Sequence, residues 1–397
     1  MSRADSQPAA SGARVTQATV GATHALHDGF SNGLLLFLPL WQVELGLTLA
    51  ATGALRAMYS IANSALQFPV SLIAERISER AMLALGTIVL GLGFVGASLS
   101  GGYILIAVAI FMTGVGASAQ HPLSSSLITR TAHGARLRVA LSTYNFLGDV
   151  GKVVVPALAA FIVSLSSWRD SMFALGAAGV VLGIAIFLVL PRTSAAPIAS
   201  ESKEAGSAGP TISNWPKFSL LAAISALDSV GRAGALTLLP FVLVGKGAEI
   251  ATVGFALSLI FAGGACGKFV CGVIATRLGP VATVIATEIV TAVGVMALVL
   301  LPISGVLFLL PVLGLALNGT SSVLYGSVPE TVARDKIVRS FGLFYTIGSA
   351  GSAVAPFVYG ALSDLLGLSV ALMILAGGVL AIVPMTLALP LIETKRS

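Results

Sequence analysis

Charge is what this sequence has least of: Asp, Glu, Lys and Arg make up only 10% of its 397 residues, where a soluble globular chain carries about 25%. That scarcity, beside a 56% hydrophobic composition and a mean hydropathy of +0.98, excludes a water-soluble domain. Cysteine is nearly absent. Cys266 and Cys271 sit five apart in one apolar segment and cannot build a disulfide framework, so they read as small packing residues. The net charge of +6 would suit nucleic acid, but the basic residues lie in short loops between apolar runs and no nucleic-acid module is present. The segment Met1 to Gln17 is polar, and the apolar run after it holds His24, His27 and Asp28, so no cleavable signal peptide is expected.

What the chain has in abundance is apolar length and glycine, 44 of them. Small residues let helices approach closely in lipid, where no water competes for backbone hydrogen bonds. A helix needs about 20 mostly apolar residues to cross the hydrocarbon. Twelve segments qualify, near 17–41, 47–73, 81–100, 103–127, 139–165, 171–190, 218–244, 250–275, 280–301, 304–327, 340–363 and 368–391. Lys and Arg set the direction, since cytoplasmic loops retain them. With the N-terminus inside, sixteen of the 22 fall on the cytoplasmic side, Arg169 and Lys246 outside, and Arg56, Lys152, Arg232 and Lys268 within spans. Both chain ends are therefore expected in the cytoplasm.

Between spans six and seven, residues 192–216 are rich in Ser, Ala, Gly and Pro and read as a flexible cytoplasmic linker. Six spans lie on either side, in segments 1–191 and 217–397, and they repeat at an offset of about 200. Gly148, Gly151 and Pro156 of span five match Gly348, Gly351 and Pro356 of span eleven. Asp28 falls on Asp228, and Gly114 on Gly314. After spans two and eight, Ser71, Glu75, Arg76 and Ser78 correspond to Gly272, Thr276, Arg277 and Gly279.

Two six-span halves in parallel duplication, joined by a long loop, resemble the major facilitator superfamily over essentially the whole length. The resemblance implies an all-α membrane protein of twelve transmembrane helices, with the substrate between the halves near the midplane. The loop motif of that family, Gly-x-x-x-Asp-Arg-x-Gly followed by basic residues, is similar to Ser71-x-x-x-Glu75-Arg76-x-Ser78-x-Arg80 and to Gly272-x-x-x-Thr276-Arg277-x-Gly279. It implies a latch in which Glu75, Arg76, Arg80 and Arg277 bond a neighbouring helix in one conformation and release it in the other. The competing account makes them positive-inside anchors only.

Eight ionisable residues lie within spans, and each costs at least about 2.5 kcal/mol at the bilayer centre unless paired or wetted. Asp28 is flanked by His24 at i−4 and Asn32 at i+4, one polar stripe on a helix face. As function, this is a proton site with His24 or His27 as relay; as structure, a polar cluster that locks span one to a neighbour. Asp149 and Lys152, and Asp228 and Arg232, are spaced to neutralise themselves along their own helices or to offer charge to a substrate. Arg56 has no carboxylate within one turn and is expected to bind an anion or bridge to Asp28. Lys268 snorkels toward the cytoplasm, and Glu288 is a second candidate proton carrier.

Span four ends in GVGASAQHPLSSS, where Pro122 follows Gln120 and His121 and breaks the helix beside polar groups. With His27 and Asp28, this run resembles the fosmidomycin-resistance subgroup of the superfamily. That resemblance implies proton-coupled efflux of a small amphipathic or anionic compound across the inner membrane. Gln120, His121, Asn32, Asn145, Arg56, Asp149, Lys152, Asp228 and Arg232 are then expected at the substrate, and Pro122, Gly148, Gly151 and Pro156 at the moving helices. The expected partners are the substrate, protons and the bilayer, around a monomer with no nucleic acid, metal or cofactor. Uptake or exchange of a carboxylate or phosphonate is the alternative. A membrane-embedded metalloenzyme using His24, His27 and Asp28 is a minor one.

Overall fold

The computed structural model describes residues 6–132, 134–191, 214–331 and 337–394. Among them are fourteen α-helices, one 3-10 turn at Val328–Thr331, and no strand. In chain order the helices are α1 Ser6–Leu45, α2 Leu49–Arg76, α3 Glu79–Ser98, α4 Tyr103–Ala117, α5 Gln120–Thr131, α6 Gly134–Leu165 and α7 Trp168–Val189. They continue as α8 Trp215–Gly245, α9 Ile250–Leu278, α10 Pro280–Leu300, α11 Ile303–Ser327, α12 Ile337–Leu366, α13 Leu368–Leu380 and α14 Ile382–Thr394.

The helix ends follow from local chemistry. Side-chain oxygens of Ser78, Ser167 and Asn214 accept from the first-turn amides of Ala81, Asp170 and Lys217, donors that would otherwise be orphaned. Just after α1 and α8, Gly46 and Gly247 take φ of 61° and 86°, a left-handed turn that a side chain disfavours. Prolines explain the two broken rods. Pro122 has no N–H for the carbonyl of Ser118, nor Pro384 for that of Leu380, and the helix is interrupted at those points, between α4 and α5 and between α13 and α14. Taking each broken pair as one rod leaves the twelve spans expected from hydropathy. Among the described residues nine rods are long and apolar enough to cross a membrane, and α1, α2 and α12, which hold the polar stretches, reach spanning length at 40, 28 and 30 residues.

Apolar side chains occupy both the inside and the outside. Trp41, Phe30, Phe37 and Phe94 are fully buried, while Phe308, Leu300 and Phe269 are 86%, 79% and 76% exposed. An aqueous protein with that surface would aggregate, whereas hydrocarbon is the solvent such a surface prefers.

The helices form two units, Met1–Leu40 with Met58–Glu201, and Trp41–Ala57 with Ser202–Ser397. Within the first, α4 presses on α2 where a methyl at Gly114 would strike the Tyr59 carbonyl. Within the second, α11 presses on α9 where a methyl at Gly314 would strike the Ile260 carbonyl. The duplicated glycine thus performs the same close approach in both units, as the parallel repeat requires. The start of α2 belongs to the second unit because Asp364, at the end of α12, caps it. Its carboxylate accepts from Leu49 N at 2.8 Å and Ala50 N at 2.7 Å.

Candidate functional site

In the first unit the site begins with the seam between α1 and α6. A methyl at Gly151 would collide with the Ala25 carbonyl and one at Gly29 with Val155, so only glycine permits this approach. The seam carries Lys152 to Asp28: its Nζ lies 3.0 Å from Asp28 Oδ2 and 3.0 Å from Asp149 Oδ1. The intrahelical pair expected from the sequence is present, and it extends across helices to Asp28. Lys152 thus bridges to Asp28, a role that spacing had offered to Arg56, which is half-buried on α2.

His24 completes the cluster. Its Nδ1 is 2.8 Å from the Tyr144 carbonyl, and its Nε2 is 3.2 Å from Asp28 Oδ2. A carbonyl only accepts, so Nδ1 carries the hydrogen and a neutral ring presents a bare Nε2 lone pair to the aspartate. Acceptor then faces acceptor unless one further proton sits on Nε2 or on Asp28. The charges agree with this count. With neutral histidines, Asp28 and Asp149 against Lys152 leave the cluster one negative charge, which a single proton cancels.

The ring is held from every side. Tyr144 stacks on it at 3.9 Å, and a methyl at Gly148 would fall 2.6 Å from its Cε1 and Nε2. Buried Gln120 donates to the Tyr144 hydroxyl at 2.9 Å. His121, just past the break in span four, lies 3.6 Å from Asp28 Oδ1 with its side chain 45% exposed. Asn32 donates to the Asp28 backbone carbonyl at 2.8 Å. His27 points elsewhere, toward Thr87 of α3 at 3.0 Å. Asn145 is exposed on α6. Tyr144, which organises both His24 and Gln120, was missed by sequence reasoning, because an aromatic in an apolar span carries no polar signature.

A cavity of about 860 Å³ adjoins this cluster, lined by Arg14, Gln17, Thr131, Arg136, Thr143 and Tyr144 among others. Its size suits a small molecule, and Tyr144 forms the wall behind which His24 stacks. His24, Asp28 and His121 also place ligand atoms within 4.8 Å of one another. The Lys152 ammonium already occupies the carboxylate, however, so a second metal-borne positive charge would be repelled. The set fits a proton better than a metal.

The second unit is arranged differently. Arg232 donates to Ser321 and Ser229, each at 3.4 Å, and among the described residues no contact of salt-bridge length joins it to Asp228, although it acts on that carboxylate from a greater distance. Asp228 instead lies against Glu288 of α10.

At the loop motif, Arg76 and Arg277 are exposed at the ends of α2 and α9, and the Glu75 side chain lies outside the described residues. Arg80 donates to the Leu190 carbonyl at 3.1 Å and lies over the Phe187 ring, fastening α3 to α7. A neighbour absent from the sequence reading does the cross-linking: Glu79 Oε1 accepts from Ser126 at 2.6 Å and Arg130 at 3.0 Å, tying α3 to α5. Pro156 lies inside α6.

The family model of the Major Facilitator Superfamily matches residues 20–226 and again 221–397. Among curated proteins, the fosmidomycin resistance protein of Escherichia coli is 30% identical over 145 residues, 36% of each chain. The probable sulfoacetate transporter SauU of Cupriavidus necator is 22% identical over 35% of this chain and 32% of its own. The matched stretches thus span about a third of the length of these relatives. Among solved structures, a bacterial homologue of the human lysosomal transporter Spinster, inward-facing and unoccupied, superposes with a TM-score of 0.75 at 15% identity over 96% of both chains. The nucleoside transporter NupG gives 0.78 at 13% identity over 94% of this chain and 99% of its own.

Proposed function

The chain belongs to the major facilitator superfamily, and from that premise we propose that it is a proton-coupled exporter of a small anionic or amphipathic compound. It works by alternating access, in the inner membrane, with both chain ends in the cytoplasm and two six-helix halves, 1–191 and 217–397. The observation that carries this reading is the contact between His24 Nε2 and Asp28 Oδ2 at 3.2 Å, with His24 Nδ1 already committed to a backbone carbonyl. That geometry leaves a place for a proton between the two atoms.

Occupancy by the proton changes the charge that Lys152 sees. With the proton bound, the cluster is neutral; without it, one negative charge remains beside Lys152. A cargo that reaches the cluster through the cavity flanked by Arg14 and Arg136 and bonds the Asp28 carboxylate can do so only while the proton is absent, so proton and cargo exclude each other, as exchange in opposite directions requires. Proton and cargo are thereby coupled through one electrostatic term. His121, half exposed and 3.6 Å from Asp28, supplies the route by which the proton reaches water. The resemblance to a fosmidomycin resistance protein supports efflux.

Reconstituted vesicles test the reading. With an acidified lumen, inverted vesicles are expected to accumulate substrate, and the Asp28→Asn protein to accumulate none while remaining folded and inserted. Undiminished uphill accumulation by that variant removes Asp28 from the mechanism. Uptake or exchange of an organic anion is the second reading, supported by the cations Lys152, Arg56 and Arg232 and by the name of the probable sulfoacetate transporter. Accumulation only under the opposite gradient would select it.

A further inference from the structure

Asp228 of α8 and Glu288 of α10 bring their carboxyl groups together inside the second unit, with Thr320 of α11 beside Glu288. Both are sealed, at 5% and 1% exposure. Asp228 Oδ2 and Glu288 Oε1 are buried and accept no hydrogen bond, and the hydroxyl of Thr291, three residues along the same face of α10, is also buried without a partner. Ionised carboxylates only accept. Two of them side by side have no bond to make and repel across a medium that screens poorly.

One proton removes both difficulties. The protonated acid becomes a donor to its neighbour, and the pair carries one negative charge instead of two. A cation is at hand to balance that charge: Arg232 acts on both acids, and its guanidinium is steadied by Ser229 and Ser321. Tyr325 of α11, stacked at 4.3 Å on Tyr345 of α12, is the other titratable group that Asp228 acts on.

We propose that Asp228 and Glu288 form a second proton-binding site, in which one proton is held between the two carboxyl groups at neutral pH and exchanged with water during transport. On release the carboxyl O–H bond breaks, its electron pair stays on oxygen, and water takes the proton; binding reverses the step. The inference goes beyond the exporter reading, whose proton sits in the first unit, and the two fail separately.

Infrared spectroscopy of the purified full-length protein at neutral pH tests it. The wild type is expected to show the carbonyl stretch of a buried protonated carboxylic acid, shifted in heavy water. The band should persist in Asp28→Asn, move or vanish in Glu288→Gln, and be absent from the double variant Asp228→Asn, Glu288→Gln. Absence of the band from the wild type overturns the proposal. So does its loss in Asp28→Asn, which would assign the proton to the first unit, or its survival unchanged in the double variant. Should the double variant not fold, heavy-carbon labelling of aspartate and glutamate carboxyls in the wild type decides, since a band that moves with neither label overturns the proposal equally.

Discussion

Asp28 and Asp228 stand 200 positions apart at equivalent points of α1 and α8, and the two units have treated the same buried aspartate in opposite ways. The first surrounds it with positive or protonatable groups: Lys152, His24 and His121, from three different helices. The second places another acid against it and keeps its arginine on serine hydroxyls. At the positions of His121 and Lys152 the second unit has Ser321 and Ser352, and at that of Glu288 the first unit has Ile88. Duplication preserved where a charge sits in the membrane, while divergence of its neighbours decided how that charge is compensated.

The comparison breaks most visibly at transport. Asp28→Asn should bring uphill flux to the level of empty vesicles while downhill exchange of substrate persists, because the amide keeps the shape and loses the proton. Loss of both kinds of flux would make the aspartate a folding element. A smaller effect is expected at Lys152. Lys152→Ala leaves two acids facing each other without their cation, a change that costs about 3–5 kcal/mol when a buried pair is broken. Thermal denaturation in detergent should show a large loss, mostly restored in Lys152→Ala, Asp28→Asn. Failure of the second substitution to restore stability would mean that the two residues do not act on each other.

Sharper still is the test of paired glycines. At Gly148 a methyl falls on the His24 ring at 2.6 Å, whereas at Gly348 the nearest atom is the Ser229 hydroxyl at 3.3 Å. Gly148→Ala is therefore expected to cost about 1–3 kcal/mol and to disturb coupling, and Gly348→Ala to cost far less. Equal losses would contradict the placement of His24. The smallest effect is reserved for Asp364→Ala, which removes the cap on α2 and should lower stability by about 1 kcal/mol, measured by the same denaturation. No change would mean water replaces the carboxylate there.

Much of the site was legible beforehand, though not its wiring. Asp28 and His24 share a face of one helix by spacing alone, and Asp149 can reach Lys152 in the same way. No spacing along one helix, however, could say that Lys152 crosses to Asp28, that His27 turns away to Thr87, or that Asp228 meets Glu288 of another helix as well as Arg232 of its own. Each of those outcomes depends on the rotation of one helix against another, which is set by where glycines allow contact. Spacing likewise offered Arg56 to Asp28 without any means of seeing Lys152, which lies 3.0 Å from it. Local patterning likewise gave no weight to Tyr144 or Glu79, whose roles exist only through partners far along the chain.

Composition, hydropathy and the repeat by themselves determined a chain of twelve membrane helices in duplicate, because transfer into lipid depends on each segment's own length and polarity. Which ionisable groups meet was decided only by tertiary packing, because the free energy of a buried charge depends on distances of a few ångströms across helices, and those are set when the glycine seams close.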